Sequence, residues 1–272
     1  MDFTKEELMC QEEAKAHILS KKDELIKQFI LDKNPIKLGF ITIFMAGSPG
    51  SGKTEFSQKY LPLQYAKFEK ELKKFLVKKG FNFDKAGTLF VRIDVDEIRS
   101  FLPQYQKTDG DKGTLGNAHV IQSAANKGLD ILRDYCLKNE ISFLHDGTFG
   151  NFKTMKKLIK LSLKEGRKVQ IYYIYLDPVS AWEFTKAREY REGRNILKDK
   201  FIEQFFTSQL NVDKIKEEFG SDVIINCVLK KSDNTVHRVK VNVTSVDEYL
   251  KTQYKKGTIK QYSQEELFQL LD

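Results

Sequence analysis

A glycine-rich loop that contains a lysine is the feature of the sequence with the clearest chemistry. The run GSPGSGKT, from Gly47 to Thr54, fits the pattern of a glycine, four residues of any type, a second glycine, a lysine and a serine or threonine. Glycines permit positive-φ turns that point successive backbone N–H groups at phosphate oxygens. We expect Lys53 to bridge the β- and γ-phosphates of a nucleotide and Thr54 to bind Mg²⁺, the alternative being a glycine turn without a nucleotide. The predicted nucleotide-binding residues are Gly47, Ser48, Pro49, Gly50, Ser51, Gly52, Lys53, Thr54 and Glu55.

Two aspartates follow a strand-like run further along the chain. Asp94 and Asp96 come directly after Thr88–Ile93, whose letters are TLFVRI. The carboxyl ends of parallel strands open onto the same crevice as a glycine loop, so both carboxylates are expected to face the γ-phosphate. Residues two apart on an extended chain share a face, so one carboxylate would hold metal-bound water while the other accepts the proton of an attacking hydroxyl. The alternative is that Asp96 only caps a helix that starts near Glu97.

A third polar segment, Asp146-Gly147-Thr148, follows the strand-like run Ile141–Leu144. At the same edge of a parallel sheet, its carboxylate would bind substrate hydroxyls or support the magnesium site. The alternative is a turn that starts the basic helix predicted at Met155–Gly166.

Three arginines occur in the run KAREYREGR, on a predicted helix and at its exit. They are Arg188, Arg191 and Arg194. Phosphoryl transfer spreads negative charge over the equatorial oxygens, and arginines of a closing lid can stabilise that charge without losing a proton. A charged helix face in contact with solvent is the alternative.

The elements that must position these residues alternate between strands and helices. Such alternation predicts a parallel sheet flanked by helices, so the expected fold class is α/β, of the P-loop NTPase type. The predicted strands of this sheet are Lys37–Ala46, Thr88–Ile93, Ile141–Leu144 and Val169–Leu176.

Further segments extend this core. Thr4 and Glu7 form a T-x-x-E pattern that predicts a capped N-terminal helix, so 1–36 is expected to be a helical segment before the kinase-like domain at 37–220. Residues 62–87 carry apolar side chains at helical spacing and predict an amphipathic helical insertion. Residues 221–272 are expected to form a hairpin, with strands at 223–230 and 235–243, and a helical extension of the same domain.

The composition favours a folded protein with anionic partners. The chain has 272 residues, of which 40% are hydrophobic and 31% charged, and its formal net charge is +8. These values exclude a mainly disordered chain, and the excess of positive charge suits nucleotides or other phosphates. Three widely spaced cysteines, Cys10, Cys136 and Cys227, indicate neither a disulfide framework nor a cysteine metal site. The acidic N-terminus is unlike a signal peptide and Phe40–Ala46 is too short to span a bilayer, so we predict a cytoplasmic protein without a membrane partner.

The order of these motifs resembles the zeta-toxin family of P-loop kinases. The resemblance runs over about residues 40–210, through GSPGSGKT, IDVDEIRSFLP, a strand ending in DGT, and KAREYREGR. Its most specific part is the pattern D-x-D-x-x-R followed by Leu-Pro, which falls on Asp94, Asp96, Arg99, Leu102 and Pro103.

The resemblance implies an ATP- and Mg²⁺-dependent kinase that phosphorylates a sugar hydroxyl, with the 3′-hydroxyl of UDP-N-acetylglucosamine as the family's best-known acceptor. Matched by position, the catalytic residues would be Lys53, Asp96 as general base, and Arg188 and Arg194 as lid arginines. The substrate-binding residues would be Asp94, Arg99, Asp146 and Thr148, and the metal-binding residues Thr54 and Asp94.

The sequence departs from the family at the DGT segment. Family members that use the cell-wall precursor often carry Glu-Gly-Thr followed by a basic residue, whereas Asp146 is one methylene shorter and the segment continues to Asn151 without an arginine. This difference leaves the identity of the nucleotide sugar open.

Family members are often restrained by an antitoxin that obstructs the nucleotide site, so a separate antitoxin chain is a further expected partner. The N-terminal helix would either replace such a partner or pack on the core, and we favour packing. Two other functions compete with this hypothesis: a kinase of nucleic-acid ends or of a nucleotide such as NAD, and a P-loop module that binds nucleotide without catalysis. Nucleic acid is disfavoured because the basic helices at 153–168 and 186–200 lack exposed aromatics suited to base stacking.

Overall fold

The computed structural model describes residues 3–79, 87–106, 116–192 and 196–272. The strands in these residues form one mixed sheet of six, in the order β2-β3-β1-β4-β5-β6. Their bounds are β1 Ile41–Ala46, β2 Val91–Asp94, β3 Phe143–Asp146, β4 Lys168–Tyr175, β5 Val223–Lys230 and β6 Val236–Lys240.

The sheet is mostly parallel, and the expected α/β fold class is confirmed. Strands β4 and β5 pair in parallel, with Val169 opposite Val223 and Tyr175 opposite Leu229. Strand β6 pairs antiparallel with β5 and forms the predicted hairpin.

Helices flank the sheet and account for most of the remaining described chain. Their bounds are α1 Lys5–Ser20, α2 Lys22–Phe29, α3 Lys53–Glu55, α4 Leu61–Lys78, α5 Val95–Arg99, α6 Gln122–Lys138, α7 Phe152–Lys164, α8 Pro178–Glu192, α9 Lys198–Phe219, α10 Val246–Lys255 and α11 Gln264–Leu270.

The N-terminal segment begins with the predicted capping box. The Thr4 hydroxyl accepts the Glu7 N–H at 3.2 Å, and the Glu7 carboxylate accepts the Thr4 N–H at 2.8 Å. The segment contains two helices, α1 and α2, because the backbone leaves helical geometry at Lys21. Its side chains Ala14, Ile18, Leu25, Ile26, Phe29 and Ile30 are buried in a core shared with α5 and α6, so the segment packs as part of the fold.

The helix that follows the glycine loop runs without interruption from Lys53 to Lys78, through a π-helical segment at Phe56–Tyr60. In that segment the Leu61 N–H donates to the Phe56 carbonyl, five residues earlier. The predicted amphipathic insertion is therefore a continuation of this helix in α4, while residues 80–86 lie outside the described part of the chain.

The chain divides into two compact units. Unit 1 comprises Met1–Ile41, Thr54–Tyr105 and His119–His145, and unit 2 comprises Thr42–Lys53, Gln106–Ala118 and Asp146–Asp272. The core of unit 1 is formed by side chains of α1, α2, α5, α6, β2 and β3. The core of unit 2 packs β4 and β5 against helices α7, α8, α9 and α10. Each unit thus buries apolar surface of its own.

All three cysteines are free thiols, as the sequence indicates. Within the described ranges, no helix combines the length and the apolar character needed to cross a bilayer.

Candidate active site

The glycine loop connects β1 to α3 in the conformation that its sequence predicts. Gly47, Gly50 and Gly52 have positive φ values of 135°, 72° and 76°. The Lys53 side chain is buried and folds back over the loop, where its ammonium donates to the carbonyl oxygens of Gly47 at 3.1 Å and Ser48 at 2.6 Å. The loop therefore already holds one positive charge among its backbone groups.

Helix α8 packs directly against this loop. A Cβ atom on Gly50 would lie 2.0 Å from the Ala181 carbonyl oxygen and 2.5 Å from the Thr185 hydroxyl oxygen, so only glycine fits there. Arg188, predicted to stabilise transferring phosphate, lies half-buried on the same helix. Arg194, the other predicted lid arginine, lies outside the described residues.

The segment after β3 also contacts the glycine loop. The Gly47 N–H donates to the Thr148 carbonyl oxygen at 3.4 Å, and Asp146, at the end of β3, is buried. Asn151 caps α7 by accepting the Thr154 N–H at 3.0 Å, so a residue other than Asp146 starts that helix. Within unit 2, the segment that carries the predicted residues Asp146 and Thr148 thus meets the glycine loop through the Thr148 carbonyl.

Contacts with Phe44 and Asn211 fix the conformation of the segment that follows β3. Phe149 has a φ of 65°, which is uncommon for a residue with a side chain, and its ring is buried and packs edge-on against Phe44. The amide of Asn211, on α9, donates to the carbonyl oxygens of Phe149 and Gly150, both at 3.0 Å. These contacts hold the chain that follows Asp146 and Thr148.

Asp94 caps helix α5 in unit 1. One of its carboxylate oxygens accepts the Asp96 N–H at 2.9 Å, and the other pairs with the Arg92 guanidinium. Arg92 also pairs with Glu97 and donates from Nε to the Ser57 hydroxyl at 3.1 Å. The expectation that both aspartates lie on one face of an extended segment is wrong, because α5 begins at Val95 between them.

Asp96 is not the cap of this helix, so that alternative for its role does not hold. Its carboxylate pairs with Arg99, and the Arg99 guanidinium also donates to the Gln122 side-chain oxygen. The Gln122 amide in turn donates to Asn126 at 2.9 Å on α6. Arg99, predicted to bind substrate, therefore also orients the predicted general base.

His145, the residue before Asp146, is buried in unit 1. Burial, together with the smaller effect of the nearby Arg133 guanidinium, lowers the pKa of its imidazole to about 3. The imidazole is therefore neutral at ordinary pH.

A comparison with protein-family models matches residues 79–242 to the model described as Zeta toxin. The chain belongs to the zeta-toxin family. This match covers more than half of the zeta-toxin-family chain and includes the segments with Asp94, Asp96, Asp146 and Arg188, while the glycine loop precedes it.

Solved structures that resemble this zeta-toxin-family protein agree on its fold. One is the PezAT chromosomal toxin–antitoxin system of the human pathogen Streptococcus pneumoniae, with 20% identity, a TM-score of 0.57, and coverage of 99% of this chain and 94% of that chain. Another is the AvrRxo1-ORF1:ORF2 complex with ATP, with 15% identity, a TM-score of 0.57, and coverage of 90% and 74%. The native AvrRxo1-ORF1:ORF2 complex has 15% identity, a TM-score of 0.55, and coverage of 84% and 70%. At these identities the likeness concerns the fold alone, and a search of curated protein sequences found no match.

The side chains expected to bind Mg²⁺ have suitable chemistry. Thr54 supplies a hydroxyl and Asp94 a carboxylate, and hard oxygen donors of this kind suit Mg²⁺, which usually keeps several waters and binds through one or two carboxylates plus phosphate oxygens. The described residues contain no cluster of three or more His, Cys, Asp or Glu side chains that would hold a metal ion alone. In this zeta-toxin-family chain, Thr54 and Asp94 would hold a magnesium ion together with phosphate oxygens, while the two Asp94 oxygens also accept from the Asp96 N–H and the Arg92 guanidinium.

Sequence reasoning missed two sets of residues. Arg92, an arginine in an otherwise apolar strand two residues before Asp94, was a visible signal of the ion pair that it forms. Lys230 ends the first predicted strand of the hairpin and Asn234 lies in its predicted turn, yet both contact the glycine loop: a Cβ on Gly52 would lie 2.3 Å from Lys230 Nζ and 2.2 Å from Asn234 Oδ1. Nothing in the local sequence indicates that contact.

Proposed function

We propose that this protein is an ATP-dependent, magnesium-requiring kinase that transfers the γ-phosphate to a hydroxyl of a nucleotide sugar, the 3′-hydroxyl of UDP-N-acetylglucosamine. Membership of the zeta-toxin family and the glycine loop around Lys53 support the binding of a nucleotide as phosphoryl donor. The solved complex of AvrRxo1-ORF1:ORF2 with ATP, which shares the fold, supports ATP as the donor.

The contacts and exposure of Asp96 are the observation that supports catalysis in addition to nucleotide binding. Asp94 performs the capping of α5, so the Asp96 carboxylate is not needed for that structural task. It is paired with Arg99 and remains 22% exposed, which leaves an oriented carboxylate within reach of solvent or ligand. A module that only binds nucleotide has no use for such a group, whereas a kinase needs it as general base.

The proposed reaction assigns one task to each residue. Asp96 takes the proton of the acceptor hydroxyl as the acceptor oxygen bonds to the γ-phosphorus, and the bond from that phosphorus to the β–γ bridging oxygen breaks. Lys53 and Arg188 stabilise the negative charge on the phosphate oxygens. Thr54 and Asp94 would hold Mg²⁺, which supplies further charge neutralisation when it is bound.

The acceptor is proposed to lie beside the segment that follows β3. Asp146 would bind sugar hydroxyls and Thr148 would contact the same ligand, and the contact of Thr148 with Gly47 supports this placement. Arg99 and Asp94 are the other proposed substrate contacts.

The experiment is to measure ATP consumption by the purified protein with nucleotide sugars, NAD, nucleosides and oligonucleotides as acceptors, and to identify the products by mass spectrometry. Asp96→Asn should lower kcat by about 10²- to 10⁴-fold, because a general base contributes that much, and should leave ATP affinity nearly unchanged. Glu203→Gln, at an exposed carboxylate on α9, is the matched control.

Each outcome separates the alternatives. A phosphorylated UDP-N-acetylglucosamine product supports the full proposal. A phosphorylated NAD or oligonucleotide product would change the assigned acceptor and leave the proposed catalytic roles in place. Full activity of the Asp96→Asn variant contradicts the mechanism, and ATP binding without any phosphorylated product favours the non-catalytic module.

We also propose that an antitoxin chain restrains this kinase. The PezAT structure is a toxin–antitoxin system, which supports such a partner, and the N-terminal helices of this chain pack into its own core, the alternative favoured from the sequence. Affinity purification of the tagged protein from cells that express it natively, followed by size-exclusion chromatography and a kinase assay of the complex, tests this. A complex that retains full activity would contradict it.

A further inference from the structure

A buried lysine at the end of β5 contacts the glycine loop. Lys230 is 5% exposed, and its ammonium donates to the Gly52 carbonyl oxygen at 3.4 Å. All three of Lys230, Gly52 and Lys53 belong to unit 2, so this contact lies within one compact body.

Two features of the β5–β6 hairpin, a register shift and a hydrogen-bonded turn, position Lys230 for this contact. The pairing of β5 with β6 shifts register between Leu229 and Lys230, and such irregularities re-aim a side chain. The turn beyond it is fixed by Asp233, whose carboxylate accepts the Thr235 N–H at 2.9 Å and the Thr235 hydroxyl at 2.6 Å. Lys230 is therefore placed by a hydrogen-bonded hairpin.

Gly52 lies under this hairpin with no room for a side chain. Its φ is 76°, and an added Cβ would lie 2.3 Å from Lys230 Nζ. The close approach puts the ammonium against the backbone of the residue that precedes Lys53 in the loop.

The loop therefore has an ammonium at each of its ends. Lys53 donates to Gly47 and Ser48 at the beginning of the loop, and Lys230 donates to Gly52 at its end. Two fixed positive charges at the two ends of one glycine loop match a ligand with several linked phosphates better than a single phosphate.

We propose that Lys230 is a second phosphate-binding lysine of this site, which contacts the phosphate chain of the bound nucleotide. The proposal deepens the kinase function proposed above and rests on its nucleotide site, but it concerns binding and needs no acceptor. Lys230 is a binding residue in this reaction, distinct from Lys53, and it is supplied by a different part of the chain.

The test compares nucleotide binding by the full chain and its variants with calorimetry, using ATP and inorganic tripolyphosphate as separate ligands. Lys230→Met keeps an unbranched side chain of similar length and removes the charge, and it should weaken both ligands by about 10- to 100-fold. Lys230→Arg should stay within a few-fold of the wild type on both ligands, since it keeps the charge. Lys231→Gln, at the exposed neighbouring lysine, is the matched control and should change neither.

Two results would overturn the proposal while the kinase function stands. One is a Lys230→Met variant with unchanged ATP affinity, and the other is a variant that loses affinity for ATP but not for tripolyphosphate, which would place Lys230 at the base or ribose. Thermal melting without ligand, together with Lys230→Gln as a second charge-removing variant, separates loss of folding from loss of binding. A wild-type protein that binds no ATP would overturn both proposals, whereas ATP binding without phosphoryl transfer would overturn the kinase alone.

Discussion

Individual side chains of the candidate site are held by charged partners. Asp94 pairs with Arg92 and Asp96 pairs with Arg99, so each acidic residue has an arginine that fixes its orientation. An ion pair restricts the rotamers of a carboxylate that is buried, as in Asp94, or partly buried, as in Asp96. The arginines are thus expected to affect catalysis through the aspartates.

Replacing Arg99 with glutamine should impair the general base without removing it. The Asp96 carboxylate loses the partner that orients it, so we expect kcat to fall by about 10-fold. Steady-state kinetics with the acceptor measure this effect, and Arg238→Gln on exposed β6 is the control. A change in acceptor KM alone would instead identify Arg99 as a substrate contact only.

The neutral His145 imidazole should make the protein sensitive to acid. Its pKa is about 3 when folded and 6.5 ordinarily, so between these pH values the unfolded chain binds a proton that the folded chain does not. The contribution of His145 to stability is therefore complete above pH 6.5 and is lost as the pH falls towards 3.

Urea unfolding of the wild type at about pH 7 and about pH 5 should show this loss in the free energy of unfolding, and His145→Asn should reduce the difference. His237→Asn, at an exposed histidine of β6, should behave like the wild type. Equal pH dependence of the His145 variant and the wild type would contradict the buried neutral state.

The sequence predicts residues with a recognisable motif and misses those that act through tertiary contact. Lys53, Asp96 and Asp146 follow from the glycine pattern and from positions at strand ends. Lys230 could not be predicted, because its contact with Gly52 joins residues far apart in the chain. Arg99 was found by its motif, but its pairing with Gln122 depends on how α6 packs.

At the scale of elements, residues of the candidate site lie in loops at the ends of strands, and contacts with neighbouring helices hold these loops. The loop between β3 and α7 carries Asp146 and Thr148, and it is held by a residue of α9 rather than by its own sequence. Asn211 is 4% exposed and donates to two carbonyl oxygens of that loop.

Asn211→Ala should therefore loosen the loop. Leaving buried carbonyls unsatisfied costs about 1–3 kcal/mol of unfolding free energy, and the KM of the acceptor should rise more than the KM of ATP. Chemical denaturation and steady-state kinetics measure the two effects, with Leu210→Ala at an exposed neighbour as control. An unchanged acceptor KM would show that the loop does not bind the acceptor.

Element types were predicted well, whereas several element boundaries were not. Strand β1 begins at Ile41 rather than Lys37, because Gly39 has a φ of 55° and interrupts the extended chain. The apolar run alone does not show where the pairing begins. The insertion predicted at 62–87 instead continues the preceding helix, and Pro62 lies just after the π-helical segment, where regular α-helical hydrogen bonding is already interrupted.

At the scale of the whole molecule, the α/β class and the alternating order of elements were readable from sequence periodicity. The division into two compact units was not, because each unit is assembled from several separate stretches of chain. The boundaries at 1–36, 37–220 and 221–272 stay predictions.

Nucleotide binding should stabilise the folded chain as a whole. A ligand at 100 times its Kd adds about 2.7 kcal/mol to the free energy of unfolding, so ATP should raise the melting temperature. Lys53→Met should lose this shift, while adenosine, which has no phosphate, should produce little shift in the wild type. Differential scanning fluorimetry over a range of ATP concentrations measures it, and an equal shift in the Lys53 variant would contradict phosphate binding by this loop.

The π-helical segment at Phe56–Tyr60 contains one residue more than a regular α-helical path needs, and this extra residue sets the rotation of α4 about its axis. Deleting one residue there would restore regular α-helical hydrogen bonds and turn all of α4 by about 100° about its axis. Val77, which is 57% exposed, would then occupy the orientation of the buried Leu76. The number of residues in this short stretch therefore decides which side of the long helix meets water, whatever the composition of the helix itself.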